Sequence, residues 1–126
     1  MFRTDYEEDY IMRQIKNIID AAVRLVCNVD TTAQFRRDMK LDALANRLLE
    51  RAQNGHINEA ENQLYEHLDA HDPDALRAGL ALYACLNDMS DEELAAHDFS
   101  REEIEEGLLH LLQVHGMGDM AAMLSE

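Results

Sequence analysis

His67-Leu-Asp-Ala-His71 sets two imidazoles four residues apart. On a helix that spacing puts both rings on one face, where they can share a transition metal with Glu66 or Asp69 close by. The residue after His67 is Leu68, so the His-Glu-x-x-His pattern of zinc proteases is absent. His71 also falls just before Asp72-Pro73, where a helix should end. We therefore expect His71 beside a cap, His67 near a helix seam, and no metal. His110 and His115 are five residues apart and so turned away from each other, with His115 placed at the carbonyl end of a helix before Gly116. Met117, Met120 and Met123 have thioethers that suit copper(I), but a short Met-rich helix filling gaps in a core is the simpler account. The runs Asp91-Glu92-Glu93, Glu102-Glu103 and Glu105-Glu106 lack the spacing and turn glycine of a calcium loop, and read as a solvated face set against helix dipoles.

No catalytic pattern accompanies these groups. The sequence has no phosphate-cradling glycine loop, no Gly-x-Ser-x-Gly elbow, no recognisable Cys/His motif and no paired carboxylates in an apolar setting. The expectation is a protein that is not an enzyme and carries no cofactor. Cys27 and Cys85 lie inside apolar segments, as reduced core thiols of a cytoplasmic protein do.

Charge narrows the partners. Residues 1–51 hold nine of the eleven Lys/Arg and nine of the 26 acids, so the formal charge of −15 lies wholly in residues 52–126. That acidic half repels phosphate backbones and anionic lipid, and the cluster Arg36-Arg37-Lys40 is too small to reverse this, so no nucleic acid is expected. The longest uncharged apolar run, Ala78 to Leu86, is far short of the ~20 residues that cross a bilayer. The opening residues show acids where a signal peptide has its apolar stretch. A protein partner remains.

These groups must be held by helices, because the chain has one proline, five glycines and helical periodicity throughout. Thr4-Asp-Tyr-Glu7 is a capping box, and Ile11, Ile15, Ile18, Ala22 and Val26 continue from it, predicting a long helix over about 5–26. A polar stretch at Asp30-Thr31-Thr32 follows. Leu41, Leu44, Ala45, Leu48, Leu49 and Ala52 mark a second helix that stops at Asn54-Gly55, and Ile57, Ala60, Leu64 and Leu68 mark a third, giving a hairpin over 41–70. Asp72-Pro73 starts a helix over 73–87 that is apolar nearly all round and so central. Ser90 with Glu93 and Ser100 with Glu103 are capping boxes with the staples Met89/Leu94 and Phe99/Ile104, opening helices within 90–125, the last a short one over Met120 to Leu124. The fold expected is all-α: a compact bundle of five to seven helices in one domain over residues 1–126.

Two resemblances add to this. With Gly55 in its turn, Glu59-Ala60 after it and Pro73 at its close, the segment 41–73 resembles a tetratricopeptide-type helical hairpin. The opening Asp9-Tyr10-Ile11-Met12-Arg13-Gln14-Ile15 resembles the start of an uncharacterised family of small helical bacterial proteins of unknown function, which implies a bacterial cytoplasmic protein and brings no site residues.

The first helix is the candidate interface. Besides its core stripe it carries Tyr6, Tyr10, Met12, Ile19 and Val23, so more than one face is apolar over about 33 Å. The functional expectation is a protein–protein interaction module that self-associates, as a homodimer, through the tyrosine-bearing side. The alternative is a ligand- or metal-binding protein that uses the histidine- and carboxylate-rich C-terminal half.

Overall fold

The computed structural model describes residues 5–69 and 71–120, with side chains from residue 9. Its described residues form seven α-helices and one 3-10 turn, and no strand: α1 Asp5–Val26, α2 Thr32–Asp38, the turn Met39–Leu41, α3 Ala43–Gln53, α4 Ile57–Asp69, α5 Ala75–Asn87, α6 Asp91–Ala96 and α7 Arg101–Val114. The all-helical expectation holds.

Helix α5 organises the rest. It is buried along its whole length except at Arg77. A helix without a polar face must be enclosed, and α1, α3, α4 and α7 all pack on it. Leu80, Leu82 and Leu86 have no exposure, and each contributes about 1.5–3 kcal/mol by leaving water.

Contacts at its two ends set the topology. At one end Asn87 Nδ2 donates to the Met12 carbonyl of α1 at 3.0 Å, and Arg101 at the start of α7 donates to the Asn87 carbonyl at 2.7 Å. At the other end the Arg77 charge reaches Cys27, just past α1, and Leu111 of α7 lies over Gly79. Both α1 and α7 therefore run antiparallel to α5, parallel to each other, and side by side. On the remaining sides α3 and α4 form an antiparallel hairpin whose turn needs Gly55 at φ +91°, a conformation that other residues rarely adopt. Beyond the hairpin itself, nothing in the arrangement singles out a tetratricopeptide unit.

Local chemistry explains the boundaries. Ser90 and Glu93 make both halves of the capping box on α6, whereas on α7 Glu103 meets the Ser100 hydroxyl and not its backbone N–H. Three details differ from the sequence reading. The 31–38 region is not only a polar stretch: Thr31 Oγ1 accepts from Gln34 N at 3.1 Å and opens the extra helix α2. Leu41 is not on the inner face of α3 but 93% exposed, because Asp42 Oδ1 accepts from Ala45 N and starts that helix after it. Asp72-Pro73 opens a turn, in which Asp72 Oδ1 accepts from Asp74 N, so that α5 begins two residues later than Pro73. The short helix expected over Met120 to Leu124 lies almost wholly outside the described residues, although helical structure resumes at 118–120.

Candidate interaction surfaces

Helix α1 has two distinct flanks. With 100° between successive residues, Met12, Lys16, Ile19 and Val23 follow one line and Tyr10, Asn17, Ala21 and Leu25 another, well round the helix. The five interface candidates thus do not share a surface. Ile19 and Val23 are buried in the chain's own core, Met12 is half-buried, and Tyr10 is 48% exposed on the other flank. The side chain of Tyr6 lies outside the described ones. Their burial follows from α5, which needs covering by α1, and from α2, which lies against α1.

Short as it is, α2 is well anchored. Phe35 is fully buried, the Thr32 hydroxyl donates to Asp20 of α1, and Arg36 pairs with Asp88 just past α5. Between α1, α2 and α5 this leaves a groove of about 320 Å³. Met12, Ile19, Ala33 and Ala84 give it apolar walls, and Arg13 and Lys16 stand at its edge. The Arg36–Asp88 pair bounds it, and Arg36 also lines a second hollow of about 440 Å³ with Met39, Lys40, Leu49 and Ala81. Asp20 and Asp88 are occupied by Thr32 and Arg36, and among the described residues neither Arg13 nor Lys16 has an ion-pair partner.

A polar cluster joins α4, α5 and α7. The Tyr83 hydroxyl donates to Glu61 Oε2 at 2.8 Å. At Gly107 a Cβ would stand 2.3 Å from that hydroxyl and 2.6 Å from Glu61 Oε2, so only glycine leaves room for the pair. Burial pushes the Glu61 carboxyl up against the opposing hydrogen bond from Tyr83, with the Glu103 charge adding to the rise. Tyr83 is pushed far up, first by burial and then by the Glu61 charge. No feature of the sequence near Glu61 signalled this carboxyl.

At the Asn87 end of α5, Arg101 is a buried charge with 5% exposure, and it donates to the Asn87 and Met89 carbonyls and to Asp91 Oδ1. With the Asn87–Met12 bond it ties α1, α5, α6 and α7 together.

The histidines do other work than the sequence spacing suggested. His67 Nδ1 lies 2.8 Å from Asp72 Oδ2, and His71 stands past the end of α4 at φ +58°, off the helical face that the four-residue spacing implied. His115 Nδ1 meets the Leu111 carbonyl at 2.8 Å, at the C-terminal end of α7. Among the described residues no group of three or more His, Cys, Asp and Glu converges as metal ligands do. Cys27 and Cys85 are unpaired, and burial pushes both thiols up. No helix of the described residues is long and apolar enough to cross a membrane.

Fold and surfaces together define a small helical bundle with a grooved flank. The chain belongs to a family of unknown function, DUF6483, whose model matches residues 5–116. No curated protein and no solved structure matches the chain significantly.

Proposed function

We propose that this chain is a protein-interaction module that pairs with a second copy of itself along the open flank of α1. The observation that carries this is an exposed leucine at the end of a flank whose own members carry no charge, with Arg24 beside it. Tyr10, Asn17, Ala21 and Leu25 follow one line of α1 in a chain in which 29% of residues are charged, and Leu25 is 70% exposed. Val26 at the end of α1 and Val114 at the end of α7 are exposed at the same end of the bundle.

The row favours a two-fold contact. Laid antiparallel, the Tyr10 end of one copy meets the Leu25 end of the other, and Asn17 falls near the axis, where two asparagines can bond across a helix pair and fix its register. Such a contact closes on itself as a dimer. The row is only about 22 Å long, so the association is expected to be weak and dependent on concentration. The α3–α4 hairpin, whose likeness to a tetratricopeptide unit rests on Gly55, Glu59-Ala60 and Pro73, serves in this reading as a wall for α5 and not as a repeat. Two unpaired thiols suit a reducing, cytoplasmic setting.

Light scattering in line with size exclusion, over a series of loading concentrations, tests the proposal. Wild type should rise from 14.4 kDa toward twice that mass, while Leu25→Glu stays at 14.4 kDa throughout. A wild type that remains at 14.4 kDa at every concentration would sink it.

A further inference from the structure

We infer that the groove between α1, α2 and α5 is a binding site for a compact aliphatic carboxylate. Its apolar wall, Met12 and Ile19, lies on the opposite flank of α1 from the self-association row, and the inference does not depend on that row. The walls supply the apolar part of the recognition: Met12, Ile19, Ala33 and Ala84 line part of an open groove of about 320 Å³, at the small end of the range for small-molecule sites.

The edge supplies the charge. Arg13 and Lys16 are exposed beside those walls, Asp88 is paired with Arg36, and Asp20, which accepts from the Thr32 hydroxyl, offsets only one of the two remaining cations. A chain with a formal charge of −15 thus keeps a small cationic edge over an apolar hollow, and an anion with a hydrocarbon body complements both parts. Length is limited as well. Arg36 lines both this groove and the second hollow, so an extended chain running from one to the other would have to cross the Arg36–Asp88 pair, which favours a short acid.

Octanoate is the probe, titrated into the full chain carrying labelled Met and Ile methyl groups and followed by NMR. Saturable shifts are expected at Met12 and Ile19 and not at Met117, which packs elsewhere on the core. Affinity should fall roughly tenfold or more for the double variant Arg13→Glu/Lys16→Glu, the loss expected when a charge-assisted contact is removed. Octanol, with the same chain and no charge, should bind the wild type more weakly by a similar factor. Both substituted residues are exposed, so the methyl spectrum away from the groove should keep its wild-type pattern. No saturable shift at Met12 and Ile19, or octanol binding as tightly as octanoate, would overturn the inference, as would an unchanged affinity in the double variant.

Discussion

The hydroxyl of Tyr83, on a side chain with no exposure, donates to Glu61 Oε2 at 2.8 Å and so joins the central helix to α4. The bond is at once a tie and a cost, because the carboxylate that accepts it is partly removed from water.

That cost gives a pH dependence. Burial, then the Glu103 charge, raises the Glu61 carboxyl above its ordinary 4.5, so the native state holds this proton more tightly than the unfolded chain does. The contribution to stability is fully present below the unfolded value and is lost as pH rises through the raised native one. Urea midpoints for wild type and Glu61→Gln should therefore lie close together at pH 4 and diverge by pH 7, with wild type losing ground to the variant. A gap that closes on going to pH 7 would reverse the sign argued here.

Gly107→Ala should destabilise by about 1–3 kcal/mol, since its Cβ would overlap the Tyr83 hydroxyl and the Glu61 carboxylate. In a Tyr83→Phe background the nearest obstacle is gone. A double-mutant cycle by chemical denaturation should show the alanine costing less there than in wild type.

Arg101→Met should cost about 3 kcal/mol, because the Asn87 and Met89 carbonyls lose a charged donor. Asn87→Ala removes the bond to Met12 and should cost about 2 kcal/mol. Denaturation at pH 7 measures both, and the two losses should fall short of adding in the double variant, since the side chains share one network.

Phe35→Ala removes the buried anchor of α2 and should lower stability by about 3–5 kcal/mol. Hydrogen exchange should show the amides of α2 losing protection ahead of those of α5, because α5 keeps its enclosure by α1, α3, α4 and α7.

Much of the fold was legible in the residues. The isoleucine repeat fixed α1, the unbroken apolar run at Ala78 to Leu86 marked α5 as central, and Ser90 with Glu93 placed α6. Helix α2 was missed because a seven-residue helix with one large apolar residue, Phe35, shows no periodicity, although Thr31 and Gln34 stand at capping-box spacing. The groove was not legible at all. Arg36 and Asp88, which bound it, are 52 positions apart, and Glu61 and Tyr83 are separated by 22. The grouping of the interface candidates was not legible from residue type alone, because helix angle sets Tyr10 and Met12 on opposite flanks of α1.

The placement of α1 and α7 side by side against α5 bears on how the chain acquires its shape during synthesis. The central helix is made before the element that completes its enclosure, and α7 leaves the ribosome after it. Until then a thirteen-residue helix that is apolar nearly all round stands partly uncovered, held against α1 and the α3–α4 hairpin alone. A nascent chain stalled before Arg101 would also lack the guanidinium that closes the Asn87 end of the bundle. Such an intermediate offers a hydrophobic face to chaperones, and cooperative folding arrives only with the last turns of α7.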